Sequence, residues 1–331
     1  MKGDAYTRAG VSQDEADASV AALVGALAGR PGGPSRRVLA SGHYANVVRI
    51  DDRTGIALTT DGVGTKLLVA EQLGRWDTVG IDCVAMNVND VICVGAEPLA
   101  MLDYLAVDRA DQAVAAQIGE GLARGAELAG IEIVGGELAQ LGEIVNGLDL
   151  AGACFGVVAL DSLVTGSTIE PGDAVIGLPS SGLHSNGYTL ARTALSELDL
   201  DDERLGRPLG EALLEPTEIY VKPVLELLHS PIEARGLGHI TSGGLGNLLR
   251  LETEAGFEID DPLPVPPIFE LIQELGEVSD DEMREVFNLG CGFCCVVAAG
   301  DEAATLELFG GHYPNAKRIG RAIATPGLHY T

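Results

Sequence analysis

The stretch from Gly80 to Ala106, with the loop Asp61-Gly62-Val63-Gly64-Thr65-Lys66 before it, constrains this chain most. Spacing predicts a helix over residues 80–95, with Val84, Val88, Val91, Ile92 and Gly95 along one face as a core stripe. The other face carries Asp82, Asn89 and Asp90. At about 100° per residue, Asp82 and Asn89 project within roughly 20° of each other, with Asp90 flanking. Two readings fit: a solvated outer face, or a carboxylate-rich face that takes a cation.

Neighbouring segments favour the cation. Thr54 to Thr60 reads as a strand entering the glycine loop that holds Asp61 and Lys66. Ile131 to Val134 reads as a strand ending in Gly135-Gly136-Glu137. Two strand ends and one helix face would then gather Asp61, Asp82, Asp90 and Glu137, a hard-oxygen set suited to magnesium.

The 331 residues suffice for two domains, and a boundary near residue 165 gives units 1–165 and 166–331. Gly166 to Asp173 is a polar link, and a new strand is expected from Ala174 to Leu178. Helices are expected over Asp14 to Gly29 and along Val114, Ile118 and Leu122 with a stop at Gly130, and a strand over Ala151 to Leu160. Arg30 to Arg37 reads as turns and Pro262 to Pro267 as an extended connector.

A net charge of −28 opposes nucleic acid or an anionic membrane as partner. It also means that a nucleotide would arrive with Mg²⁺. Only four lysines, Lys2, Lys66, Lys222 and Lys317, offset the acids beside the arginines, a pattern that fits a high-salt protein or a generally acidic proteome. No apolar run is long enough to span a membrane and no secretory signal opens the chain, so a cytoplasmic protein is expected. Cys291 and Cys294 have CxxC spacing, but no second pair completes a zinc site.

Two loops in the second half suit anions. Pro179-Ser180-Ser181-Gly182-Leu183-His184-Ser185-Asn186-Gly187-Tyr188 joins a strand to a helix, and His239-Ile240-Thr241-Ser242-Gly243-Gly244-Leu245-Gly246-Asn247 leads into the helix of Leu248, Leu249 and Leu251. The first is equally readable as a turn and cap, and it is neither a Walker A nor a dinucleotide loop.

These residues resemble the aminoimidazole ribonucleotide synthetase (phosphoribosylformylglycinamidine cyclo-ligase) family. The resemblance rests on Asp61 to Lys66, Gly80-Ile-Asp-Cys-Val-Ala-Met-Asn-Val-Asn-Asp90, Gly95-Ala-Glu-Pro98, Leu102-Asp-Tyr104 and Gly135-Gly-Glu137. It continues through Gly182-Leu-His-Ser-Asn-Gly-Tyr188, Leu214-Glu-Pro-Thr217, Tyr220-Val-Lys222, Gly243-Gly244 and Phe287-Asn-Leu-Gly290.

The resemblance implies an α/β fold: an N-terminal α/β domain whose strands form an intersubunit β-barrel in a homodimer, plus a C-terminal α/β domain. It implies ATP-dependent ring closure of formylglycinamidine ribonucleotide through an iminophosphate, with ATP and Mg²⁺. By the same resemblance Asp61, Asp90 and Glu137 hold Mg²⁺, while Asp82 and Asn89 assist. Lys66 offsets phosphate charge, Gly62 to Thr65 contact ATP, and His184 with Asn186 positions the substrate. Ser180, Ser181, Gly182, Gly187, Tyr188, Gly243 and Gly244 would cradle phosphate or substrate.

The chain departs from the family pattern at Ser41 to Asn46, at Leu138 to Glu143, where Gln140 replaces an acid, and in the absence of a lysine over residues 14–29. Relatives in the wider superfamily are alternatives: selenophosphate synthetase, thiamine-monophosphate kinase, the hydrogenase-maturation dehydratase, or a catalytically lapsed ATP-binding partner.

Overall fold

The computed structural model describes residues 5–10, 13–28 and 36–331. Residues 1–4 and most of the expected turn segment 30–37 lie outside the described residues. The first half runs α1 (Ala5–Arg8), α2 (Gln13–Ala28), β1 (Asn46–Arg49), β2 (Thr54–Gly62), α3 (Leu67–Leu73), α4 (Val79–Ile92), β3 (Glu97–Val107), α5 (Gln112–Ala129), β4 (Glu132–Gln140) and β5 (Leu148–Ala159). The second runs β6 (Ala174–Pro179), α6 (Tyr188–Ala194), α7 (Leu209–Leu213), α8 (Val221–Leu228), β7 (Ala234–His239), β8 (Gly256–Ile259), α9 (Pro267–Gly276), α10 (Asp280–Val286), β9 (Cys291–Val297), α11 (Glu302–Gly310), β10 (Lys317–Ile323) and β11 (Leu328–Tyr330).

The class is mixed α/β, with one sheet in each half. The first sheet has the order β1-β2-β5-β3-β4, with β3 and β4 parallel and its other pairs antiparallel. The second has the order β11-β8-β10-β6-β9-β7. Every residue of β9 is buried, and the run Cys-Gly-Phe-Cys-Cys-Val-Val suits a strand enclosed on both faces.

Helix α4 lies against one face of the first sheet, and the reason is legible in small residues. A Cβ on Gly152 of β5 would meet Asn87 and Cys83 of α4 at 3.0 and 3.2 Å. Against α5 the approach is closer still: a Cβ on Gly80 would fall 2.2 Å from the Leu122 backbone nitrogen. Only glycine permits that approach, because a rigid helix backbone cannot yield. Helix α5 begins at Asp111, whose carboxylate accepts from the Ala113 and Val114 amides, and stops at Gly130 in the left-handed region.

The opposite face of the first sheet is open. Cross-strand register places Leu58, Leu102, Tyr104 and Val157 on it, each between 37% and 47% exposed. Alternation explains the split: residues one apart on a strand point to opposite faces.

One open reading closes and two expectations change. The polar face of α4 is not solvated, because Asp82, Asn87, Asn89 and Asp90 are buried with the rest of the helix. Strand β4 runs on through Gly135-Gly136-Glu137 to Gln140, so Glu137 sits within a strand paired to β3 and not at its end. The segment after Gly243-Gly244 is a 3₁₀ turn, Gly244–Arg250, and not an α-helix. Among the described residues no helix is long and apolar enough to cross a membrane.

Candidate active site

Lys66 ends a 3₁₀ turn that follows β2 and is wholly buried. Its ammonium donates to Asp82 Oδ1 at 2.9 Å, to the His184 carbonyl at 3.1 Å and to the Glu215 carbonyl at 2.6 Å. An ammonium has three protons, and each has a protein oxygen. Asp82 Oδ1 also accepts from the Thr217 amide at 2.7 Å and hydroxyl at 2.6 Å. Lys66, expected beside a phosphate, therefore binds the two halves of the chain together. Burial lowers its pKa, and the Asp82 carboxylate opposes that shift.

Asn89 extends the same seam. Its amide donates to the Glu218 carbonyl at 2.8 Å, and its oxygen accepts from the Tyr220 amide at 3.0 Å. Asp82 and Asn89 of α4 are thus matched to backbone groups of residues 217–220.

The paired carboxylates lie at the end of this stripe. Asn87 fixes the end of β2 by accepting from the Asp61 amide and donating to the Asp61 carbonyl, both at 3.1 Å. The Asp61 carboxyl is pushed up to about 6, first by burial and then by Asp90; Gly62, His239 and Arg250 oppose the rise. Asp90 Oδ1 lies 2.9 Å from His239 Nδ1, and His239 Nε2 is buried without a partner. The Asp90 charge acts on Asp61, and two carboxylates near one another make an oxygen donor set of the kind that suits a divalent cation.

Glu137 does not join them. Its register row is Gly62-Ala151-Tyr104-Glu137, on the open face of the sheet, whereas Asp61 belongs to the row Asp61-Gly152-Asp103-Gly136 beneath α4. Three strand spacings, about 14 Å, also separate β2 from β4. Among the described residues no group of three His, Cys, Asp or Glu side chains is arranged to hold a metal ion. Asp103 shares the Asp61 face two strands away, and burial raises its pKa. A Cβ on Gly136 would lie 2.2 Å from Asp103 Oδ1, so this glycine makes room for the carboxylate.

His184 lies in the loop between β6 and α6 with φ at 61°, a left-handed conformation that costs a non-glycine residue energy. Its Nε2 accepts from the Ser181 amide at 3.3 Å, which puts the ring proton on Nδ1, and Nδ1 is buried without a partner. Burial holds its pKa well below the ordinary histidine value, reinforced by His239 and Lys66. His184 is therefore a neutral donor rather than an acid near neutral pH.

The loop's hydroxyls are turned inward. Ser180 donates to Asn288 Oδ1 at 2.9 Å, Ser181 to the Pro216 carbonyl at 2.5 Å and Tyr188 to the Leu213 carbonyl at 2.5 Å. Asn186 makes a long contact, 3.9 Å, with the Met86 sulfur. In the second loop the Thr241 amide is held by Asn247 at 2.7 Å, the Gly243 amide by the Glu285 carbonyl at 2.8 Å and the Gly244 amide by the Thr241 carbonyl at 3.1 Å. A Cβ on Gly244 would strike the Arg284 carbonyl oxygen at 2.2 Å, so glycine there serves packing. Gly62, Val63, Gly64 and Thr65 form the turn between β2 and Lys66, with Gly64 at φ 70° and the Val63 amide bonded to the Leu150 carbonyl.

Family models for the AIR synthase related protein match here as an N-terminal domain over residues 42–158 and a C-terminal domain over 170–331. The chain belongs to the AIR synthase family. It is 52% identical over 279 residues to the phosphoribosylformylglycinamidine cyclo-ligase of Methanothermobacter thermautotrophicus, covering 82% of both chains. Against the Thermococcus kodakarensis cyclo-ligase it is 47% identical over 328 residues, covering 98% of this chain and 96% of the other. The fold is shared with thiamine-monophosphate kinase from Stenotrophomonas maltophilia, with a TM-score of 0.65, 21% identity and coverage of 90% and 92%. It is shared also with T. maritima PurL complexed with ATP, with a TM-score of 0.60 and 20% identity over 86% of this chain and 43% of that one.

In this chain the sequence reading passed over Arg250 and placed Asp103 and His239 in a motif and a loop without giving either a role. Arg250 donates to the Gly42 and His43 carbonyls at 2.8 and 2.9 Å and lies over the Tyr44 ring at 4.3 Å. The unusual 41–46 segment is thereby strapped to the 3₁₀ turn after Gly244. The sequence signal for Arg250 was weak, since an arginine ending a leucine-rich run reads as a surface charge.

Proposed function

We propose that this chain closes the imidazole ring of aminoimidazole ribonucleotide from formylglycinamidine ribonucleotide, consuming ATP and releasing ADP and phosphate. Membership in the AIR synthase family and the high identity to cyclo-ligases over nearly the whole chain carry this reading. The two halves, 1–165 and 166–331, act as one unit because Lys66 is bonded to the His184 and Glu215 carbonyls and Asn89 to Glu218 and Tyr220.

The residues fit the chemistry by position. Phosphoryl transfer to an amide oxygen, followed by amidine attack and loss of phosphate, needs alignment and charge neutralisation more than covalent help. Asp61 and Asp90 would hold Mg²⁺, which when bound supplies charge neutralisation for the phosphates. His239 orients Asp90, and Lys66 fixes His184 and so the loop that faces the nucleotide substrate. His184, neutral and donating through Nδ1, positions the loop or an acceptor that reaches it.

A homodimer accounts for the open sheet face. Leu58, Leu102, Tyr104 and Val157 present an apolar surface that a second sheet would cover, and Glu137 on the same face would then enter the interface. ADP release with and without formylglycinamidine ribonucleotide, with mass analysis for the cyclised product, tests the function. Product formed only with substrate and metal supports it; ATP bound without product rejects it.

A further inference from the structure

The C-terminal half holds a cavity of about 300 Å³ lined in part by Arg284, Phe287, Asn288 and Leu289 and by Leu245 beside the second loop. Its body is apolar, formed by Leu263, Phe269, Met283 and Phe287, which are buried. Five of its lining residues are exposed, Pro262, Val265, Asp280, Arg284 and Tyr330, and the Arg284 guanidinium lies 4.5 Å from the Tyr330 ring centroid. Asp280 accepts from Gln273 at 2.6 Å, and Asp281, mostly exposed, lies 3.8 Å from Arg284. A cation over an aromatic ring beside an apolar cavity gives that cavity one positive group in a chain of net charge −28. Its size is at the lower end for small-molecule sites, which combine apolar walls with a few polar groups.

The shared wall connects this cavity to the loops. The Glu285 carbonyl holds the Gly243 amide, and the Arg284 carbonyl abuts Gly244. The Phe287 ring packs where a Cβ on Gly187 would fall, at 2.3 Å. Asn288 donates to the Gly182 carbonyl at 2.9 Å and accepts from Ser180, and the Gly290 carbonyl accepts from the Ser180 amide at 2.9 Å. Leu289 and Gly290 both have positive φ, so the segment is a tight turn with little slack.

We propose that this cavity is an effector site for a small amphiphile, an aromatic or branched apolar body with one anionic group. The body lies against Leu263, Phe269 and Met283, the anion pairs with Arg284, and occupancy steadies residues 284–290 and through them both loops. This proposal goes beyond the ring-closing activity and does not depend on it.

The test is a fluorescence titration of the full chain with 8-anilinonaphthalene-1-sulfonate, using wild type, Val265→Trp and Arg284→Gln. Val265 is exposed, so an indole there can block the opening without entering the core; Arg284→Gln keeps the stem and removes the charge. The expected result is one saturable equivalent per chain, with affinity about tenfold weaker in each variant. Saturating dye should also slow amide exchange in residues 180–187 and 243–247. Equal affinity in all three proteins would place the dye on the open sheet face and overturn the assignment. Unchanged exchange in both loops at saturation would overturn the effector role. Should Val265→Trp not fold, Arg284→Gln decides by the same readings.

Discussion

Lys66 Nζ sits 2.8 Å from Asp82 Oδ2, and neither side chain is exposed to solvent. One partner follows the end of β2 and the other lies in the first turn of α4, and both reach on to residues of the second half. This pair is the bolt of the seam, and its charge balance governs what happens when either residue is changed.

Lys66→Ala leaves a buried carboxylate without its cation and should cost about 3–5 kcal/mol of unfolding free energy. Denaturant titration measures it. A variant with wild-type stability and lost ATP turnover would return Lys66 to a phosphate-binding role.

Asp61 makes stability pH-dependent in a definite direction. Its folded pKa, about 6, lies above the ordinary 3.8, so the folded chain binds this proton more tightly than the unfolded one. The contribution is fully present below pH 3.8 and is lost as pH rises through 6, by roughly 3 kcal/mol. Asp61→Asn should therefore flatten the stability profile between those values and be the more stable protein at pH 7 without metal. Added Mg²⁺ should stabilise wild type at pH 7 and leave Asp61→Asn nearly unmoved, as thermal melts would show.

Gly80→Ala forces a methyl into the Leu122 backbone of α5. Because neither helix can shift without opening the core, a loss of about 1–3 kcal/mol or more is expected. A melting temperature within a degree of wild type would mean that the helices separate easily.

Leu102→Glu puts a charge in the middle of the open sheet face. Light scattering should report a wild-type dimer and a variant monomer at the same concentration. A wild-type monomer would remove the proposed barrel.

Stability should rise with salt. A net charge of −28 repels itself, and molar salt shortens the range of that repulsion to about 3 Å. Melting temperatures at low and molar salt decide the matter, and equal values would reject the effect.

Much of the local structure could be read from the residues. The period of α4, the stop of α5 at Gly130 and the strand that enters the 180–187 loop all follow from spacing and turn chemistry, and these depend on neighbours in sequence. The family motifs likewise singled out Asp61, Asp90 and His184 as candidates. Tertiary structure decided the partners. Spacing shows that Asp82 and Asn89 share a helix face, but not that residues 215–220 cover that face, because their carbonyls and amides arrive from the other half of the chain. It shows Glu137 after a strand-like run, but which sheet face it occupies depends on pairing register, where one residue of shift reverses every side chain. Lys66 reads as a free cation in a glycine loop, and its commitment to Asp82, His184 and Glu215 exists only once both halves have folded together and excluded water from the seam.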